Sequence, residues 1–208
     1  MTISRRACAL TLLAALASLP LAPAMAVTPI KPKMTPATLP TRGQTHVYMM
    51  RGLFGVFSQG IDALAAELNQ TGYLAEIYDW DSWQQVVATI QQRYQNGDRG
   101  PIVVIGHSLG ANAVLSVASA LDAQAIPVEL GVTFDATAPA PVPDNVAHFV
   151  NFWARDGFGQ PVTAVPGYPG HLENFDLSGQ PGIDHTSIVQ FEKFHQFVII
   201  KLDDMTAD

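Results

Sequence analysis

Apolar residues from position 46 onward fall into short continuous runs that alternate with stretches of helical spacing. The runs predict strands at 46–50, 74–78, 102–108, 128–134 and 147–153, and the helical spacing predicts helices at about 59–71, 82–94, 109–123 and 186–202. Strands that alternate with helices are typical of a parallel α/β sheet with helices on both faces, which gives three layers. The Gly- and Pro-rich segment 154–184 shows no sustained period and is predicted as irregular.

Right-handed connections between these five strands predict the order 2-1-3-4-5. The winding direction then reverses between the first and third strands. The loop after the first strand and the turn after the third would be neighbours at the carboxyl edge of the sheet. Because open α/β sheets bind ligands in this crevice, we expect the functional site there.

The third strand leads into Gly106-His107-Ser108-Leu109-Gly110, a Gly-x-Ser-x-Gly pattern, and small helix formers follow it. A sharp strand-to-helix turn strains the central residue and holds its side chain above the sheet, and small flanking residues permit this. The pattern therefore predicts a nucleophile elbow at Ser108. The alternative is a plain Gly-rich turn of an α/β protein.

Serine becomes a nucleophile only beside an imidazole that a carboxylate orients. The elbow after a strand, an acid beyond a later strand and a late histidine, in that chain order, resemble the α/β-hydrolase superfamily of esterases, lipases and thioesterases. The resemblance implies a small, lidless, exported member with a sheet of about five strands. It also implies a serine hydrolase that cleaves carboxylic esters or thioesters through an acyl-enzyme on Ser108.

His185 is the predicted base, because it lies in a loop just before the last predicted helix, where the resemblance implies a histidine. His171, in the long irregular segment, is the competitor. The remaining histidines fall in predicted strands, in the last helix, or, as His107, inside the elbow and pointing away from Ser108.

Two aspartates compete for the role of acid. Asp135 follows the fourth strand, as the acid does in pancreatic-type lipases, whereas Asp156 follows the fifth, where most of the superfamily carries it. Both would project from the same edge of the sheet. Asp135 is preferred because Arg155 offers Asp156 a structural partner.

The resemblance further implies an oxyanion hole formed by the backbone N–H of Leu109 and that of Leu53, or alternatively Phe54. Arg51-Gly52 stands where many relatives have His-Gly. Aromatic side chains near the sheet edge are candidates for substrate binding or for simple packing; they are Phe54, Phe57, Phe158 and Tyr168.

The N-terminal residues predict export. Arg5 and Arg6, an apolar run and Ala24-Met25-Ala26 are typical of a signal peptide over 1–26, so we expect a periplasmic or secreted protein with no transmembrane segment in the mature chain. Cys8, the only cysteine, lies in this segment. Residues 27–45 are Pro-rich and predict a disordered lead-in. Residues 46–208 would form a single domain.

The net charge of −7 becomes more negative once Arg5 and Arg6 are removed, and no cluster of basic residues remains. Nucleic acid is therefore not an expected partner. The expected partner is the substrate that the resemblance implies, a small or lipid-like acyl ester. The sequence carries no metal-ligand or phosphate-loop motif, so no cofactor and no metal are expected. It leaves the oligomeric state open. The alternative function is a catalytically silent protein of the same fold that binds a ligand or partner in the crevice.

Overall fold

A computed structural model describes residues 39–53, 55, 58–155 and 158–207 of the chain. Within them the strands are β1 (His46–Arg51), β2 (Leu74–Asp79), β3 (Ile102–His107), β4 (Val128–Phe134), β5 (Val146–Trp153) and β6 (His171–Asp176). The α-helices are α1 (Gln59–Gln70), α2 (Trp83–Gln95), α3 (Leu109–Asp122) and α4 (Glu192–Asp203). No helix of these residues is long and apolar enough to cross a membrane.

The strands form one parallel sheet in the order β2-β1-β3-β4-β5-β6, which confirms the predicted order and adds one strand. Alternate residues of β1 face opposite sides. Val47 and Met49 pack with α1 and α4, and Tyr48 and Met50 pack with α2 and α3. The two apolar cores are therefore separated by the sheet, and the predicted three layers are confirmed.

The sixth strand lies in the segment that the sequence predicts as irregular. β6 is an edge strand, and four of its six residues are polar, so it lacks a continuous apolar run. Leu172 packs on one core and Phe175 on the other. Such a half-exposed strand leaves a weak periodic signal.

Within the predicted lead-in, residues 42–44 form a 3₁₀ turn in which the side chain of Gln44 accepts the N–H of Thr41, and Thr45 is buried. The last helix begins at Glu192 and not near Thr186. The side chain of Asp184 accepts hydrogen bonds from the N–H groups of Thr186 and Ser187, and this turns the chain before the helix.

Candidate active site

Ser108 lies at a strained turn between β3 and α3. Its backbone has φ 59° and ψ −121°, a conformation that residues other than glycine rarely adopt. A Cβ atom on Gly106 would lie 2.3 Å from the carbonyl oxygen of Gly110, so the turn closes only with glycine at that position. The predicted elbow geometry is thus present, and the side chain of Ser108 faces the carboxyl edge of the sheet.

The structure brings Ser108, His185 and Asp135 into one hydrogen-bonded chain. The Oγ atom of Ser108 lies 2.9 Å from Nε2 of His185, and Nδ1 of His185 lies 2.5 Å from Oδ2 of Asp135. A carboxylate only accepts hydrogen bonds, so Nδ1 carries the hydrogen and Nε2 accepts from the serine. His185 therefore holds the tautomer that can take a proton from Ser108.

Asp135 is completely buried and follows β4 directly. Its Oδ1 accepts the N–H of Ala154 at 2.9 Å, and its Oδ2 accepts that of Phe158 at 3.3 Å. Asp135 has φ 55°, a second non-glycine residue in the left-handed region. These backbone donors and the imidazole together satisfy a carboxylate that has no access to water.

A cavity of about 400 Å³ opens in front of Ser108, and its wall is mostly apolar. Its lining includes Leu53, Leu109, Thr137, Phe158 and Thr186. Leu109 is the first residue of α3, so its N–H has no acceptor within the helix. The ring of Phe158 stands edge-on to that of His185, with centroids 5.2 Å apart, and 70% of Phe158 is exposed.

Several predicted site residues lie elsewhere. Tyr168 is at the amino edge of the sheet, where its hydroxyl donates to the carbonyl oxygen of Val146, the first residue of β5, at 2.8 Å. It does not line the cavity in front of Ser108, because the segment before β6 returns to the amino edge. His171 is exposed at the start of β6. Phe54, Phe57 and Asp156 fall outside the described residues.

Sequence reasoning did not anticipate the hydrogen bonds of His107 and Ser58 beside the site. The Nδ1 atom of His107 lies 2.8 Å from Oγ of Ser58, and its Nε2 lies 2.7 Å from the carbonyl oxygen of His185. Burial lowers the pKa of His107 to about 4. No pattern in the sequence pairs Ser58 with His107, because they are brought together only by the adjacency of β1 and β3.

The described residues hold a second, larger cavity of about 920 Å³ at the amino edge of the sheet. His46, Asp98 and Pro127 contribute to its wall. No serine lies in that wall, so size alone does not identify the reactive site. No group of three or more potential metal ligands occurs among the residues that the structure describes.

Solved structures similar to this chain share its fold. Human thioesterase 2 is 15% identical over 78% of this chain and 98% of its own, with a TM-score of 0.54. A gene product of Listeria innocua is 13% identical over 82% of this chain and 96% of its own, also with a TM-score of 0.54. The thioesterase domain that cyclises the lipopeptide antibiotic surfactin is 12% identical over 76% of this chain and 91% of its own, with a TM-score of 0.53.

The chain has the α/β-hydrolase fold. At these identities the similarity concerns the fold alone. No protein-family model and no curated protein sequence matches the chain. In this α/β-hydrolase-fold protein, Ser108 lies beside the crevice between β1 and β3, at the reversal of winding direction.

Proposed function

We propose that this protein is a serine hydrolase that cleaves carboxylic esters or thioesters through an acyl-enzyme on Ser108. The observation that carries the proposal is the hydrogen-bonded chain from Ser108 through His185 to Asp135, at a strained turn. Backbone strain of this kind occurs mainly at functional sites. The structural neighbours that are thioesterases support acyl chemistry on this fold.

In the acylation step, Oγ of Ser108 attacks the substrate carbonyl carbon while Nε2 of His185 takes its proton. The bond to the leaving group then breaks, and His185 returns the proton to the departing alcohol or thiol. Asp135 keeps the imidazole in the required tautomer and stabilises its positive charge. Water activated by His185 releases the acid and restores Ser108.

Attack on the carbonyl creates an oxyanion that needs preorganised donors. We assign this function to the N–H groups of Leu109 and Leu53, because both residues line the cavity. The N–H of Gly52 is already committed to Oγ of Ser58 at 2.8 Å, so it is not a donor to substrate. Deletion of one such donor costs about 3 to 4 kcal/mol of transition-state stabilisation.

The cavity wall favours an acyl group that is apolar. Leu53 and Phe158 are among the exposed large hydrophobic residues, at 43% and 70%, and both line the cavity in front of Ser108. An acyl chain laid against them would remove this apolar surface from water. A small or lipid-like acyl ester is therefore the proposed substrate class.

The test is a panel of p-nitrophenyl esters of increasing chain length, with thioesters of the same acids, on wild type and Ser108→Ala. We expect hydrolysis by wild type and none above background in the variant. Ser116→Ala is the matched control, since Ser116 lies on α3, the helix that follows Ser108, and its hydroxyl donates to the carbonyl oxygen of Asn112. A ligand-binding protein without catalysis would bind esters and leave them intact.

We also propose that the enzyme acts outside the cytoplasm, from the composition of residues 1–26. Expression of the full chain followed by mass determination of the exported product checks this. We expect the product to begin at Val27. An uncleaved product retained in the cytoplasm would contradict the proposal.

A further inference from the structure

We propose that His107 is a positioning residue that fixes the loop of the oxyanion donor Leu53 and the loop of His185 relative to Ser108. The inference rests on the proposed function. It extends that function to a residue whose ring nitrogens contact neither Ser108 nor the imidazole of His185. His107 is the last residue of β3 and precedes Ser108 directly, so a shift of the His107 backbone also moves Ser108.

The ring of His107 is completely buried and makes one contact at each nitrogen. Nε2 lies 2.7 Å from the carbonyl oxygen of His185, and Nδ1 lies 2.8 Å from Oγ of Ser58. The same Oγ lies 2.8 Å from the backbone nitrogen of Gly52, the residue before Leu53. One side chain thus connects the elbow to both loops.

The direction of each hydrogen bond follows from the chemistry of its partner. The carbonyl oxygen of His185 only accepts, so Nε2 of His107 carries the hydrogen. Nδ1 is then bare and accepts the hydroxyl hydrogen of Ser58, whose oxygen accepts the N–H of Gly52. Every donor and acceptor in this series of three hydrogen bonds has a partner, and only a neutral His107 allows this. Burial favours the neutral form and lowers the pKa of His107.

His107 does not relay protons to the reaction. Its ring centroid is 5.1 Å from that of His185, but its Nε2 faces the backbone carbonyl and not the imidazole. The nitrogen that serves Ser108 belongs to His185. Loss of a His107 contact would therefore misplace catalytic groups without removing one, and a displacement of about 1 Å lowers rates by up to about 100-fold.

Two substitutions separate the two contacts. In His107→Asn, the shorter amide retains an acceptor near the position of Nδ1 and loses the donor to His185. In His107→Gln, the longer amide retains a donor near the position of Nε2 and loses the acceptor for Ser58. Ser58→Ala removes the acceptor for Gly52 and the partner of Nδ1 together.

We expect each single variant to lower kcat by about tenfold or more, with KM nearly unchanged, since the misplaced groups act in the transition state. Ser58→Ala and His107→Gln break the same contact, so their effects on log kcat should not add. Ser58→Ala and His107→Asn break different contacts, so theirs should nearly add. Rates are expressed per active site, titrated with a fluorophosphonate.

His195→Gln is the matched control for loss of a buried histidine. His195 is 3% exposed, and its Nε2 lies 2.8 Å from the carbonyl oxygen of Val189, away from Ser108. We expect His195→Gln to lower the melting temperature and to leave kcat per site unchanged.

The inference would be overturned if both His107 variants had the kcat per site of wild type. It would also be overturned if the effects on log kcat added both for Ser58→Ala with His107→Gln and for Ser58→Ala with His107→Asn. A fall in kcat in His195→Gln equal to that in the His107 variants would overturn it too. Failure of the proposed function looks different, because wild type would then leave the esters intact, or Ser108→Ala would hydrolyse them as fast as wild type.

Discussion

Gly159 lies against the carboxylate of Asp135 and has no room for a side chain. A Cβ atom built on it would be 1.8 Å from Oδ1 of Asp135 and 3.1 Å from the backbone nitrogen of Ala154. That nitrogen donates to the same Oδ1 atom. Gly159→Ala therefore pushes directly on the group that orients His185.

The size of the effect follows from the distances. Real Cβ atoms essentially never lie within 3.0 Å of another heavy atom, so the carboxylate or the loop must move by about 1 Å or more. A displacement of this size lowers kcat by about 100-fold, or about 2.7 kcal/mol in the barrier. Steady-state hydrolysis of a p-nitrophenyl ester measures it, with the melting temperature recorded in parallel.

Gly43→Ala is the matched control, because a Cβ atom there meets nothing within 4 Å and the φ angle of Gly43 is not in the left-handed region. We expect wild-type kcat from this variant. If Gly159→Ala retained kcat within threefold of wild type while folded, the account of Asp135 as the orienting acid would be refuted.

Three further results are expected. Asp135→Asn lowers kcat by about 10⁴-fold through loss of the histidine tautomer, whereas Asp156→Asn leaves it within tenfold; the reverse pattern would exchange their roles. Phe158→Ala raises KM for long-chain esters about tenfold and leaves acetyl esters unaffected, since an exposed apolar wall is lost. Burial lowers the pKa of His107 from 6.5 to about 4, and the nearby Asp135 opposes this shift. Below about pH 6.5 the unfolded chain therefore binds a proton at this histidine that the folded chain does not. Stability then falls by about 2 kcal/mol from pH 7 to pH 5, measured by urea unfolding, and His107→Gln loses that part of the fall.

The sheet order could be predicted from the sequence because β1, β3, β4 and β5 each coincide with a continuous apolar run. Val103, Val104 and Ile105 are fully buried in the central strand, which leaves a strong signal. The strained serine was predictable for a related reason, since Gly106 and Gly110 are required by close backbone contacts that any such turn makes.

The competition between two aspartates was open in the sequence because both follow strands that end at the same edge. The structure places the carboxylate of Asp135 on His185, at 2.5 Å. The deciding features are long-range. Gly159 and the N–H of Ala154 lie more than 15 residues from Asp135 in sequence, and no local sequence pattern predicts such contacts.

The position of Tyr168 at the amino edge and the strand β6 were not predicted, for another reason. The segment after β5 returns to the amino edge before it forms β6, so aromatic residues in it do not share one side of the sheet. Composition identified Tyr168 and Phe158 as a single class of site residue, although only Phe158 borders the cavity.

The most direct test of the central claim is covalent labelling of Ser108 by a fluorophosphonate, followed by intact-mass measurement and peptide mapping. The account predicts one adduct per wild-type molecule, located on Ser108, with labelling abolished in Ser108→Ala and strongly slowed in Asp135→Asn. Absence of the adduct in folded wild-type protein, or an adduct of equal yield in Ser108→Ala, would contradict it.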